Sequence, residues 1–170
     1  MNIRLMTDPD HNYFMERAFR EAQIAFEEDE VPVGAIVAKD NQIIGRGHNQ
    51  TETLKDATAH AEIIALTSAA ENIGDWRLDD CILYSTIEPC AMCAGAAVLS
   101  RIKTIVYGAP DIRFGACGTI FDVPTDKRLN HRIEIISGVM QQETAELMQL
   151  FFRRIRLNKE NSTSQEGPDE

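Results

Sequence analysis

No apolar run in the 170-residue sequence approaches the ~20 residues that a membrane span requires. The polar start, MNIRLMTDPD, lacks the apolar stretch of a secretory signal peptide. Together these absences predict a cytoplasmic protein with no membrane partner. No internal repeat is visible, so the chain is not an array of small units. Net positive charge is missing too: 17 Lys and Arg face 27 Asp and Glu, giving −10. Because phosphate contacts dominate nucleic-acid affinity, that balance taken whole argues against a nucleic-acid partner. Its distribution weakens the argument. Residues 1–30 hold 3 basic and 8 acidic side chains and residues 157–170 hold 1 and 4, whereas residues 101–156 hold 9 and 6. The acid is concentrated at the two ends, and the second half of the body is mildly basic.

Cysteine is sparse as well, with Cys81, Cys90, Cys93 and Cys117 making four. Disulfides do not persist among cytosolic reductants, so the Cys90-x-x-Cys93 pair reads first as metal-binding or redox.

What is present suits one compact domain, 44% hydrophobic and 26% charged. A chain of this size buries roughly 70% of its unfolded surface and needs no disulfide staples. We place the domain at residues 1–157 and read residues 158–170, ending NSTSQEGPDE, as an acidic, disordered tail.

Asp8 as N-cap, Pro9 and the spacing of Phe14, Ala18, Ala22, Ala25 and Phe26 predict a first helix that the acidic run 27–30 and Pro32 end. Val33–Ala38 and Gln42–Gly47 read as a hairpin. A polar stretch, Asn49–Asp56, precedes a helix from Ala59 to Glu71 capped by Thr58. Cys81–Thr86 is a strand, Cys90–Leu99 a helix opened by Pro89, Ile102–Tyr107 a strand, and Ile133–Ile136 a short fifth strand. Gln141–Asn158 is the last helix. Residues 108–131 form a long irregular segment, of the kind that is usually functional or disordered. Helices alternating with strands in this order predict a three-layer α/β/α domain around a mixed five-stranded sheet.

The chemistry concentrates at two helix starts. Cys90 and Cys93, at i and i+3 in the first turn of a helix, present both sulfurs to one side, where the helix dipole favours thiolate. Two thiolates and one imidazole, with a fourth position open to water, make a catalytic zinc site. His60, also at a helix start after a strand and loop, is the natural third ligand. Glu62 stands at i+2 from His60, which rules out the His-Glu-x-x-His arrangement of metalloproteases. The pattern His60-Ala61-Glu62 … Pro89-Cys90-Ala91-Met92-Cys93 instead matches the H-x-E … P-C-x-x-C signature of zinc deaminases of nucleobases. In such a site zinc supplies hydroxide near neutral pH, and Glu62 shuttles the proton. A redox pair explains neither His60 nor Glu62. A structural zinc site would need a fourth protein ligand, for which His48, His131, Cys81 and Cys117 are the candidates. Cys81 also reads as a buried apolar residue and Cys117 as a loop thiol.

Val31-Pro32-Val33-Gly34-Ala35, Gly45-Arg46-Gly47-His48-Asn49, Thr58-Ala59-His60-Ala61-Glu62, Glu88–Ala96, Asn130-His131-Arg132 and Phe151-Phe152-Arg153 fall in a familiar order. From about residue 9 to residue 157 the chain resembles bacterial tRNA-specific adenosine deaminases, of the cytidine-deaminase-like superfamily. The resemblance implies a homodimer that converts the wobble adenosine of a tRNA anticodon loop to inosine, with the nucleotide splayed into the zinc pocket. It also implies that Asn49 hydrogen-bonds the purine, that Val33 lines the pocket, and that Asp111 and Arg113 lie in a loop facing the anticodon. By the same likeness, Phe152 and Arg153 on the last helix shape the 5′ side. His131, from its place before the fifth strand, is open between a structural hydrogen bond and a substrate contact. At least one of Phe151 and Phe152 is expected in the core. Two departures stand out: Ala57 where many relatives have proline, and Arg113 where lysine is common. The alternatives are a free-base or nucleotide deaminase of the same superfamily, acting on guanine, cytosine or a deoxynucleotide, and a catalytically silent RNA-binding subunit. Retention of Glu62 argues against the last.

Overall fold

The computed structural model describes residues 9–163. In chain order the elements are α1 (His11–Glu27), β1 (Gly34–Lys39), β2 (Gln42–His48), α2 (Thr51–Leu54), α3 (Ala61–Ile73), β3 (Ile82–Ile87), α4 (Ala91–Leu99), β4 (Thr104–Ala109), β5 (Glu134–Ser137) and α5 (Gln141–Thr163). The strands form one sheet in the order β2-β1-β3-β4-β5. β1 runs antiparallel to both β2 and β3, whereas β3, β4 and β5 are parallel, so the sheet is mixed as expected.

Strand alternation builds two cores, one on each face. Ile36, Ala38, Tyr84 and Val106 face Phe14, Met15 and Ala18 of α1. Ala35, Val37, Leu83 and Ile105 face the alanine-rich sides of α3 and α4. With α5 lying beside α1, the result is the three-layer α/β/α arrangement. Alanine and glycine let α3 approach closely. A Cβ placed on Gly47 would lie 2.4 Å from the Ala61 carbonyl oxygen, so β2 and the start of α3 are in backbone contact. The β1–β2 turn puts Asp40 and Asn41 at φ 50° and 60°, the left-handed pair that a two-residue hairpin turn demands.

Beyond shifts of one or two residues at other element ends, three features differ from the sequence reading. The first helix is capped by Asp10, whose Oδ1 accepts from the Tyr13 N–H at 3.1 Å, and starts at His11; Asp8 lies outside the described residues. The stretch 49–56 contains the short helix α2. The last helix continues to Thr163, because Lys159, Glu160 and Asn161 contain no breaker and the first one, Gly167, lies beyond. Residues 164–170 of the expected tail lie outside the described residues.

Candidate active site

Both helices that carry the signature begin without a side-chain cap. His60 is the N-cap of α3 and Cys90 the N-cap of α4, and neither makes the usual side-chain cap hydrogen bond. Thr58, expected as the cap of α3, instead gives its N–H and hydroxyl to Asp56 Oδ1 at 2.8 and 2.7 Å. Capping is sacrificed because the His60 ring turns to the cysteines. His60 Nδ1 lies 3.6 Å from Cys90 Sγ and 3.5 Å from Cys93 Sγ, and the two sulfurs are 3.7 Å apart. Both thiols are free.

Tetrahedral zinc, with Zn–S about 2.3 Å and Zn–N about 2.0–2.1 Å, sets S···S at about 3.8 Å and S···N at about 3.6 Å. The observed triangle matches each edge to about a tenth of an ångström. Among the described residues, His60, Cys90 and Cys93 are the one such group, so a fourth protein ligand is not supplied. His48, His131, Cys81 and Cys117 stand outside it.

The electrostatics reflect crowded donor atoms. The Cys93 thiol, by hydrogen-bonding to the Cys90 sulfur, pulls Cys90 down to about 4, with His60 adding to the effect. Cys93 is correspondingly pushed up, by the same bond and by burial. His60 is raised, chiefly by its hydrogen bond with Cys90. Burial, the largest influence on Glu62, pushes its carboxyl above the ordinary carboxylate range. Glu62 is 3% exposed, and its Oε1 lies 3.3 Å from Ser85 Oγ.

Sheet register gathers the remaining pocket residues. Ala35 pairs with Ser85, so the segment before β1 and the segment after β3 share one sheet end. Val33 is half-buried there, and its carbonyl accepts the Asn49 N–H at 3.0 Å. Asn49 is buried, with Nδ2 donating to Glu30 Oε2 at 3.2 Å and to Thr51 Oγ1 at 3.1 Å.

The long loop after β4 is fastened beside the cysteines. Gly115 bridges to Cys90, and the Ala116 N–H donates to the Pro89 carbonyl at 2.9 Å. The buried Glu88 carboxylate accepts from the N–H groups of Asp111 (3.0 Å), Cys117 (2.9 Å) and Thr119 (3.1 Å) and from the Thr119 hydroxyl (2.5 Å). Asp111 itself accepts from the Arg113 and Phe114 N–H groups at 2.8 and 3.2 Å, so its side chain shapes the loop. Arg113 meets Phe152 and Arg153 of α5 in a groove of about 350 Å³ that Met148, Gln149 and Arg156 also line. Phe151 is buried and Phe152 exposed, as the helix reading requires. His131 is set apart: its Nε2 lies 2.6 Å from the Ile102 carbonyl oxygen, before the start of β4 and at the other sheet end from Cys90.

Sequence reasoning missed Ser85, Glu88 and Glu30. Each left a faint signal, namely a polar residue inside an apolar strand, an acid fixed before Pro89, and the last of four acids before a proline.

The family described as MafB19-like deaminase matches residues 9–156. A "tRNA-specific adenosine deaminase" of Streptococcus pyogenes is 43% identical over 153 residues, covering 90% of this chain and 96% of the relative. A solved chain from a study of A-to-I editing by tRNA:A34 deaminases at the wobble position of transfer RNA is 41% identical with a TM-score of 0.77, covering 79% of this chain and 98% of its own. A guanine deaminase from Bacillus subtilis is also 41% identical, with a TM-score of 0.57, but covers 59% of this chain and 65% of its own. With the signature assembled in three dimensions and relatives matched along nearly their whole length, the chain belongs to the tRNA-specific adenosine deaminase family of cytidine-deaminase-like enzymes.

Proposed function

We infer that this chain is a hydrolase that converts adenosine to inosine at the wobble position of a tRNA anticodon. The observation that carries the chemistry is the triangle of His60 Nδ1, Cys90 Sγ and Cys93 Sγ beside the buried carboxyl of Glu62. The substrate assignment rests on the Streptococcus pyogenes relative and the tRNA:A34 deaminase chain.

His60, Cys90 and Cys93 would hold one zinc ion per chain. Zinc bound there supplies Lewis acidity that brings the ionisation of water toward neutral pH. Glu62 takes one proton of the attacking water and delivers it to the ring nitrogen beside the attacked carbon, then takes the proton remaining on the added hydroxyl and gives it to the departing amine. Water and adenosine are consumed, inosine and ammonia released. A carboxyl raised by burial suits this work, because it must hold a proton between two transfers. The uncapped N–H groups that open α3 and α4 orient the attacking oxygen.

Asn49 hydrogen-bonds the purine and Val33 forms part of the pocket wall. Arg113, Phe152 and Arg153 meet the RNA along their shared groove, and Asp111 keeps the loop in shape for it. His131 takes no part, as its ring is engaged by the Ile102 carbonyl. Two copies act as a homodimer in the cytoplasm, where tRNA is found. Residues 1–157 carry these functions, and the acidic residues 158–170 stand outside the chemistry.

The guanine deaminase likeness supports a second reading, deamination of a free purine. Incubating the zinc-loaded protein with wobble-adenosine tRNA, free adenosine, guanine and cytosine separates the two. Inosine in tRNA with little turnover of the small molecules is expected; xanthine from guanine as the main product would favour the second.

A further inference from the structure

Glu30 closes an acidic run that reads as a solvated helix end, yet it is fully buried. Its backbone explains why. Asp29 sits at φ 60°, the Glu30 N–H reaches the Ala25 carbonyl at 2.9 Å and the Asp29 N–H reaches that of Phe26 at 3.3 Å. These two bonds form a Schellman motif, in which Asp29 takes the left-handed place usual for glycine and the next residue turns inward. Arg154 of α5 pins the motif from outside, with Nη2 2.8 Å from Asp29 Oδ1 and 2.9 Å from the Phe26 carbonyl.

Inside, every neighbour of the carboxylate is a donor. Oε2 accepts from Asn49 Nδ2 (3.2 Å), Thr51 Oγ1 (3.3 Å) and the Glu52 N–H (3.3 Å), and Oε1 from the Thr53 N–H (2.7 Å). No ion pair with Glu30 exists among the described residues, so these donors alone offset its buried charge. Thr51 Oγ1 also accepts from Asn49 Nδ2, which leaves both amide hydrogens engaged and the amide unable to turn over.

We propose that Glu30 is a positioning residue for the deamination: its carboxylate fixes the direction of the Asn49 amide and seats α2 against the pocket. The proposal rests on the reading of Asn49 as the contact to the base. Chemistry restricts the position to a carboxylate, since glutamine would aim its own amide hydrogens at donors that already point inward. Any loss should fall on turnover of the seated nucleotide, because the RNA groove lies on other elements.

The test is a double-mutant cycle on the zinc-loaded full chain, with an anticodon stem-loop bearing wobble adenosine as substrate. Glu30→Gln should lower kcat roughly 10- to 100-fold with KM changed less than about threefold. In an Asn49→Ala background the same change should cost less than about threefold. A second readout is the Asn49 side-chain NH2 pair in NMR, identified by its loss in Asn49→Ala: protected from hydrogen exchange in the parent, it should exchange freely in Glu30→Gln. Thr51→Val, which removes one partner of Nδ2 without adding a donor, should give a smaller loss of the same non-additive kind and serves if Glu30→Gln does not fold. A loss that persists in full in the Asn49→Ala background would overturn the positioning role and leave Asn49's own role standing. An Asn49→Ala enzyme with unchanged turnover would overturn both.

Discussion

Ser85 Oγ lies 3.3 Å from Glu62 Oε1 while giving its proton to the Ile87 carbonyl at 2.7 Å. The same hydroxyl is within hydrogen-bonding reach of the buried Glu62 carboxyl, whose pKa burial raises, and ties it to the end of β3. Glu62→Gln, which keeps the shape and removes the proton acceptor, should lower kcat by roughly 10²- to 10⁴-fold while zinc content stays at that of the parent. Ser85→Ala should lower kcat by about tenfold, through the unsatisfied groups it leaves. Single-turnover deamination and metal analysis on both variants check this. Full activity in Glu62→Gln would place the proton shuttle elsewhere.

The Glu88 carboxylate serves the loop as Glu30 serves the pocket, accepting from Asp111, Cys117 and Thr119. Glu88→Gln turns amide hydrogens toward those donors. The loop that carries Arg113 should loosen, raising KM for tRNA by about tenfold and exposing residues 110–120 to limited proteolysis, with zinc retained.

For Glu30, burial alone would raise the carboxyl, but hydrogen bonds from the Thr53 and Glu52 N–H groups and the Thr51 hydroxyl outweigh it and hold the pKa below its ordinary 4.5. A depressed folded value means that the stabilisation is complete above about 4.5 and is lost as pH falls through the lower folded value. The stability difference between the parent and Glu30→Gln should be constant near neutrality and shrink below pH 4.5, as read by urea unfolding at a series of pH values. A difference that grows toward acid would contradict the assignment.

Chelation should remove activity and lower Tm together, because the three ligands stand on two helix starts, α3 and α4, that a bound ion ties to each other. Zinc alone should restore both. Cys93→Ala should abolish the restoration, measured by calorimetry with and without metal.

The helix and strand order was legible because apolar alternation and helical spacing are strong in this chain, and the signature brought His60, Cys90 and Cys93 together correctly. Helix ends were less legible where function competes with capping: Thr58 is the better cap by propensity, yet His60 stands at that position with its ring committed to the cysteines. The buried acids were illegible for a related reason. Glu30 and Glu88 look solvent-facing in sequence, and donors from distant segments, backbone N–H groups chief among them, make their burial tolerable. His131, which the sequence leaves open between a structural hydrogen bond and a substrate contact, makes a structural one with the Ile102 carbonyl.

The most direct test of the central claim compares kcat/KM for two anticodon stem-loops identical except that the single adenosine occupies the wobble position in one and a neighbouring loop position in the other, with free adenosine and guanine as controls. The account predicts inosine at the wobble position at least about 100-fold faster than at the neighbour or in free adenosine, and no xanthine from guanine. Equal rates on the two stem-loops, or guanine as the better substrate, would contradict it.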